Sequence, residues 1–286
     1  MKPPATIDLP AYFERIGYSG PRHASAAVLA SIARLHAQSI AFENIDAFLG
    51  RRISLALPDV QRKLVAGRRG GWCFEQNLLL GDALRELGFG VTDLAARVMW
   101  NRPPEMIGAR THRLLRVHCE GTDWIVDAGF GGQTLTGALA LHSEAAQATP
   151  HEPFRLRALA SGEQVMESLI RDEWKPLFRF DLQPQHPVDF EAANFQLVHD
   201  PASHFAQTLI VSRATEAGRW VLKAHELGFY GKDGRMQRQM LPDEDAILAA
   251  LGEQMCINVE GLPELRERLG WLLRQAGEAG GALADL

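Results

Sequence analysis

The sequence predicts an α+β fold, and three observations predict it. Apolar residues at helical spacing dominate residues 1–90, short alternating runs broken by glycine replace them from about Val91, and both patterns return past about residue 200. That division suggests a helical part at 1–90, a β part at 91–200 and a mixed α/β part at 201–286. With 286 residues, the chain is long enough to bury a sizeable core. In the first part, residues 9–16, 24–35 and 57–65 read as helices, and Leu78, Leu79, Ala83, Leu84 and Leu87 continue the spacing until Gly88 stops it. Together they suggest a small helical bundle. In the second part, strands are expected at 95–100, 111–119, 124–127, 154–159, 164–170 and 174–180. In the third, 208–212 and 219–223 read as strands, and 243–251 and 262–275 as helices. The segments 184–187 and 199–201 read as connections, because proline and the residue before it resist helix and central strand.

Composition excludes several classes of function. A formal net charge of −5 and a pI near 6.1 argue against nucleic acid or an anionic membrane as the main partner, so an anionic ligand must meet a local site. Three cysteines without a Cys-x-x-Cys pair suit neither a disulfide framework nor a thiolate zinc site, which points to a reducing compartment and no metal. Residues 1–8 lack an apolar signal core, and no stretch approaches eighteen uncharged apolar residues. The expectation is a soluble cytoplasmic protein of no assigned oligomeric state. Residues 276–281 are loose glycine-rich punctuation, and no repeat of fixed period is present.

The chemistry concentrates in Arg69-Gly70-Gly71-Trp72-Cys73-Phe74-Glu75-Gln76-Asn77, which delivers a cysteine from a tight glycine turn to the first turn of a helix. Unpaired N–H groups at a helix start carry partial positive charge, which favours thiolate, and the thiolate is the nucleophile. Cys73 is therefore the candidate for covalent catalysis, against the ordinary reading of a free cysteine as a small buried hydrophobe. Cys119 and Cys256 follow no glycine turn and read as packing residues.

A thiol that attacks a carbonyl needs a base, and the base needs a group that holds its ring. In Thr111–Cys119, one strand face carries His112, Leu114, Arg116 and His118, so either histidine could serve, or be an ordinary surface residue. The next strand ends on Asp127 in a mostly apolar run, where a carboxylate needs a partner. If Gly121-Thr122 is a two-residue turn, Asp127 faces Arg116, and His112 lies about 13 Å further along at ~3.3 Å per residue. An Arg116–Asp127 ion pair is then the simple alternative, and pairing with His112 requires a bulge or another register. Gly129-Phe130-Gly131-Gly132 permits close backbone approach to a ligand, but no Lys-Ser or Lys-Thr follows to make a P-loop.

Taken together, these segments resemble the arylamine N-acetyltransferase family. The 69–77 block matches its Arg-Gly-Gly-x-Cys-Phe/Tyr-Glu-x-Asn signature, and Thr111-His112 and Val126–Gly131 match its histidine and aspartate segments in order. Phe42-Glu43-Asn44 fits its Pro-Phe-Glu-Asn motif, with Ala41 in place of proline, and Ser203-His204-Phe205 is a weaker match. The resemblance implies a triad of Cys73, His112 and Asp127 in a helical bundle, β-barrel and α/β-lid architecture, with a catalytic core of papain and transglutaminase type. It implies that acetyl-coenzyme A acetylates Cys73 and that an aromatic amine, hydrazine or hydroxylamine takes the acetyl group, with ping-pong kinetics. It further implies that Phe42, Val98 and Phe130 line the acceptor pocket, that Thr111, Gly131 and Phe205 touch coenzyme A, and that Arg69 and Glu43 pair near the site. The principal rival is a cysteine hydrolase or transglutaminase-like enzyme with the same triad. A non-enzymatic binding module would have no need for the three residues to converge.

Overall fold

The structure, a computed structural model, describes residues 6–103 and 105–278; residues 1–5 of the segment without a signal core and 279–281 of the glycine-rich stretch lie outside it. The chain opens with α1 (Leu9–Ile16), whose first turn is capped by the Asp8 carboxylate accepting from Ala11 N, and which Gly17 ends at φ 70°. α2 (Ala26–Ser39) is capped by Ser25. A two-residue strand β1 (Phe42–Glu43), short α3 (Ile45–Phe48), α4 (Leu57–Gln61) with a π-helical turn at Arg62–Ala66, and α5 (Cys73–Glu86) follow. Tyr12, Ile16, Leu29, Ile32, Leu79 and Leu84 of these helices form a core that also takes in Leu115, Val117 and Val126 of the neighbouring sheet. Each fully buried aliphatic side chain there contributes roughly 1.5–3 kcal/mol relative to exposure.

The central sheet contains β2 (Gly90–Val98), β3 (Arg110–Cys119), β4 (Thr122–Val126), β5 (Leu139–Ala140), β6 (Phe154–Ala158), β7 (Gln164–Ile170) and β8 (Glu173–Phe180). Its seven strands run in the order β5-β4-β3-β2-β8-β7-β6, antiparallel throughout. The sheet curls nearly closed. Gln147 stitches its edges, its side chain bonding Ala140 N at 2.7 Å while its backbone pairs with Phe154 of β6. The interior is apolar, with Leu94, Leu114, Phe154, Leu156 and Phe178 at its centre.

Helices α6 (Pro187–His199) and α7 (His204–Gln207) lead to β9 (Ile210–Ala214), β10 (Gly218–Lys223), β11 (Glu226–Gly231) and β12 (Met236–Met240), and the chain closes with α8 (Glu244–Glu253) and α9 (Pro263–Glu278). The second sheet has the order β1-β9-β10-β11-β12. β1 therefore belongs to a sheet otherwise built from the last third of the chain, and Phe42 also bridges in parallel to Gly71. This strand ties the Cys73 turn to the C-terminal sheet. One face of that sheet packs on α8 and α9 through Val211, Leu222, Ile247, Leu251 and Leu269.

The structure departs from the sequence expectations in the unexpected short elements β1, α3, β5 and α7, in the early start of β2, and in three larger features. The two proline connections bracket a helix, α6, which was not expected: Pro187 sits in its first turn, where a missing N–H costs nothing. β11 and β12 were also unexpected, and β12 is exposed along its length, so it carries no apolar alternation. The hairpin between β3 and β4 turns on Glu120-Gly121, at φ 51° and 73°, one residue earlier than Gly121-Thr122. Among the described residues, no helix is long and apolar enough to cross a membrane.

Candidate active site

Two glycines fix the entry to α5. A methyl group on Gly70 would lie 2.3 Å from Ala41 O, and one on Gly71 would lie 2.8 Å from Glu75 Oε2. Trp72 N–H donates to Glu75 Oε2 at 3.2 Å, and the first helical bond runs from Gln76 N to Trp72 O. The N–H groups of Cys73, Phe74 and Glu75 therefore have no partner inside the helix and concentrate its positive end around the sulfur. Cys73 is buried, with Sγ 3.7 Å from Thr111 O. Under this turn lies a buried charge network. Arg69 donates twice to Glu43 Oε1, at 2.9 and 2.7 Å, while Lys63 Nζ reaches Asp46 at 2.7 Å and Glu75 at 2.8 Å. The expected Arg69–Glu43 pair is thus one edge of a larger network that holds the turn. Burial pushes the Glu75 carboxyl up to about 6, with Lys63 pulling the other way.

The β3–β4 register settles the partner of Asp127. The earlier turn pairs Arg116 with Ile125 and Leu115 with Val126, so Asp127, just past β4, comes beside Leu114 and a diagonal step from His112 on the same face. His112 Nε2 donates to Asp127 Oδ2 at 2.7 Å. Arg116 instead reaches Thr92 Oγ1, and the simple Arg116–Asp127 pair does not form. The other carboxylate oxygen, Oδ1, accepts from Asn77 Nδ2 at 2.9 Å and from Gly129 N at 2.8 Å. Asn77 also accepts from Ala128 N and donates to Arg113 O, so one residue of α5 clamps the acid from the same helix that carries Cys73. A β-bulge strengthens the arrangement. Ala96 pairs with His112 and Arg97 with Arg110, which leaves Thr111 without a partner on β2 and its carbonyl facing Cys73.

His112 is buried, and burial pulls its pKa down; the adjoining Asp127 carboxylate outweighs this, with Cys73 adding to the effect, and the imidazole is pushed up to about 10. With Nε2 held by Asp127, Nδ1 is the nitrogen left for the sulfur. His118 lies apart from this group, mostly exposed and 2.9 Å from Asp123. Cys119 is buried and its thiol is pushed up by that burial. Cys256 corrects its sequence reading: it is exposed, at φ 55° after α8, because the chain leaves that helix in a left-handed turn.

Aromatic rings surround the His112 side of the sulfur. Phe130 meets the imidazole edge-on with centroids 5.3 Å apart, Phe178 lies 4.8 Å from it, and Val98 is the cross-strand partner of Phe178. Phe42 lies 6.2 Å from Phe205, which meets Trp72 edge-on at 5.7 Å, so these two belong to an aromatic cluster that includes Cys73. Gly131 adopts φ 85°, and a methyl there would lie 3.6 Å from both the Phe42 ring and Ser212 Oγ. Thr111 thus touches Cys73 and Phe130 touches His112, Phe42 and Phe205 share an aromatic cluster with Cys73, and Val98 and Gly131 border this group through Phe178 and Phe42. Sequence reasoning gave no role to Asn77, Phe178 or Ser212. Asn77 falls inside the 69–77 block, four residues after Cys73 on one helix face, and that spacing was a usable signal. Among the described residues, no group of three or more His, Cys, Asp or Glu side chains is placed to hold a metal ion.

A family model described as N-acetyltransferase matches residues 25–263. The arylamine N-acetyltransferase of Mycobacterium tuberculosis is 38% identical over 279 residues, covering 95% of this chain and 98% of that protein. The Salmonella typhimurium protein, an arylamine N-acetyltransferase and N-hydroxyarylamine O-acetyltransferase, is 36% identical over 255 residues, covering 89% and 90%. The fold matches the Mycobacterium marinum arylamine N-acetyltransferase solved in complex with CoA, at TM-score 0.89 and 35% identity, covering 94% of this chain and 99% of that one. With the match running through both sheets and across every segment that surrounds Cys73, this chain belongs to the arylamine N-acetyltransferase family.

Proposed function

We propose that this protein transfers an acetyl group from acetyl-coenzyme A to the nitrogen of arylamines and arylhydrazines, and to the oxygen of N-arylhydroxylamines, through an acetyl-Cys73 intermediate. The observation that carries the reading is the convergence, in a member of this family, of a cysteine at a helix start with a buried His112–Asp127 pair. In the resting pair, His112 holds the proton and Cys73 is thiolate. The sulfur attacks the thioester carbonyl, and the free N–H groups at the start of α5 stabilise the tetrahedral oxyanion. Collapse expels coenzyme A, whose sulfur takes the proton from His112 Nδ1. The amine then attacks the acetyl-cysteine, neutral His112 accepts the amine proton, and the Cys73 thiolate leaves, which restores the starting pair.

In this account residues 1–90 carry the nucleophile, 91–200 carry the base and acid in a core of papain and transglutaminase type, and 201–286 act as a lid over the donor. Thr111, Gly131 and Phe205 contact coenzyme A, and Phe42, Val98 and Phe130 receive the flat acceptor ring. The reading requires no metal and places the protein in the cytoplasm. An apolar acceptor pocket disfavours water, so the acetyl-enzyme is expected to persist until an amine arrives. Initial rates across acetyl-coenzyme A and arylamine concentrations test this. Parallel double-reciprocal lines are expected, because coenzyme A leaves before the amine binds. Acetate released at one rate with and without arylamine would instead make the protein a thioester hydrolase.

A further inference from the structure

Three buried polar side chains, one from each of α1, α2 and α5, form a chain of hydrogen bonds that ends at the Cys73 turn and that the proposed reaction leaves unused. Tyr12, His36 and Gln76 are all shut off from solvent. Tyr12 Oη lies 2.9 Å from His36 Nδ1, and His36 Nε2 lies 2.7 Å from Gln76 Oε1. The amide nitrogen of Gln76 faces three carbonyl oxygens: Ile40 O at 3.2 Å, Ala41 O at 2.8 Å and Gly71 O at 3.1 Å.

Those carbonyls fix every proton in the chain. A carbonyl only accepts, so the Gln76 amide must turn its NH2 toward them and its oxygen toward His36. His36 then carries its proton on Nε2 and donates it to Gln76, which leaves Nδ1 to accept from the Tyr12 hydroxyl. An imidazole so placed is neutral: burial pulls its pKa down to about 4, with the Gln76 bond pulling the other way. At neutral pH the chain therefore has one arrangement of donors, and it anchors Gln76 to two other helices.

What Gln76 holds is the peptide before the nucleophile. Gly71 O and Trp72 N–H belong to one planar unit. Its oxygen accepts from Gln76 Nε2 and from Glu43 N at 3.2 Å, and its N–H donates to the buried Glu75 carboxylate at 3.2 Å. In the next peptide, Trp72 O accepts from Gln76 N at 3.0 Å. Three of the four polar groups in these two peptides are thus held by Glu75 and Gln76. The fourth, Cys73 N–H, has no hydrogen-bond partner among the described residues.

The geometry points to Gln76, anchored through His36 to Tyr12, as a positioning residue for the oxyanion: it sets the two peptide planes so that the Cys73 N–H stays free and aimed at the thioester oxygen. This rests on the proposed acetyl-cysteine reaction and names the side chains that hold its donor. Gln76 bonds neither Cys73 Sγ nor the His112–Asp127 pair. Its loss should therefore leave the thiolate in place and misalign the N–H that meets the tetrahedral intermediate.

Two reactions of Cys73 separate these effects. Acetylation by acetyl-coenzyme A passes through an oxyanion, whereas iodoacetamide loses iodide from a saturated carbon and needs only the thiolate. Gln76→Met removes the amide at similar volume. Its single-turnover acetylation at saturating acetyl-coenzyme A is expected to fall about ten- to hundredfold, while alkylation keeps the wild-type rate and pH profile. His36→Met keeps Gln76 and removes its anchor, and should show the same split at about three- to tenfold. His36→Gln, whose amide oxygen can accept from Tyr12 and whose nitrogen can donate to Gln76, should recover most of the rate. If Gln76→Met does not fold, the two His36 variants decide. The assignment is overturned if His36→Met is acetylated at the wild-type rate, if alkylation slows as much as acetylation, or if His36→Gln is as slow as His36→Met. A wild type that iodoacetamide alkylates at Cys73 but acetyl-coenzyme A does not acetylate would remove the proposed reaction itself, and the positioning role with it.

Discussion

Replacing Asp127 with Asn separates the charge of the buried acid from its shape. Asp127 Oδ1 accepts two N–H donors, from Asn77 and Gly129, so an amide nitrogen at that position would face two donors and leave both unsatisfied, at about 1–3 kcal/mol each. The amide nitrogen is therefore directed to the Oδ2 position, where it faces His112 Nε2 in place of the 2.7 Å bond present now. An N–H donor there makes Nε2 an acceptor and moves the imidazole proton to Nδ1, the nitrogen that must receive a proton from the sulfur. Charge follows the tautomer. Held at about 10, His112 is protonated at pH 7.5 in nearly every molecule. Without the carboxylate, burial loses its main counterweight and the charged fraction of His112 at pH 7.5 falls. The smaller charged population and the wrong tautomer together should lower acetylation of Cys73 by roughly tenfold or more. The fold should survive, because a charge-assisted hydrogen bond becomes a neutral one at a cost of about 1 kcal/mol. Single-turnover acetylation by acetyl-coenzyme A, followed by mass spectrometry on protein of checked thermal stability, reads the effect. A folded Asp127→Asn protein acetylated within about threefold of wild type would refute the reasoning.

Three more outcomes follow from the same geometry. At limiting iodoacetamide near pH 7, peptide mapping should find Cys73 modified before exposed Cys256, with buried Cys119 last; equal labelling of all three would contradict a poised thiolate. His112→Gln should abolish acetylation of the protein, while His118→Gln, a change at an exposed residue paired with Asp123, should leave most of it; the opposite result would reverse the assignment. A methyl on Gly129 would lie 2.5 Å from Cys73 Cα, so Gly129→Ala should lower stability by about 1–3 kcal/mol in denaturant titration and slow acetylation, whereas unchanged values for both would mean that this contact is unimportant.

Local signals made much of this readable from sequence. The Gly-Gly turn into a helical apolar run located α5 and its first residue, and alternation located β3, β4, β6, β7 and β8 close to their ends, whereas β2 starts at Gly90, five residues before the expected position, and the two-residue β5 was not expected. What the chain concealed was long-range pairing. The partner of Asp127 depended on whether the hairpin turned at Glu120 or Gly121, a choice of one residue that moves the pairing by two. Only the two left-handed residues, Glu120 and Gly121, decide it. Phe178 was visible as part of a strand, but its place against His112 follows from β8 pairing with β2, with most of the central segment between them. Likewise nothing in Phe42-Glu43 announces that it is the edge strand of a sheet formed by residues more than 160 positions later. β12 lacked any apolar pattern because its whole length is exposed, and Cys256 was misread because the apolar residues beside it, Met255 and Ile257, do point inward.

The claim on which the account turns is that one sulfur carries the acetyl group between two substrates. The most direct measurement is to treat the protein with acetyl-coenzyme A, remove all free donor, map the modified peptide, and then add an arylamine. The account predicts one acetyl group on Cys73 and none on Cys119 or Cys256, followed by its stoichiometric appearance on the amine with unmodified Cys73 recovered. An unacetylated Cys73 with continued steady-state turnover, or an acetyl-Cys73 that the amine does not discharge, would contradict it.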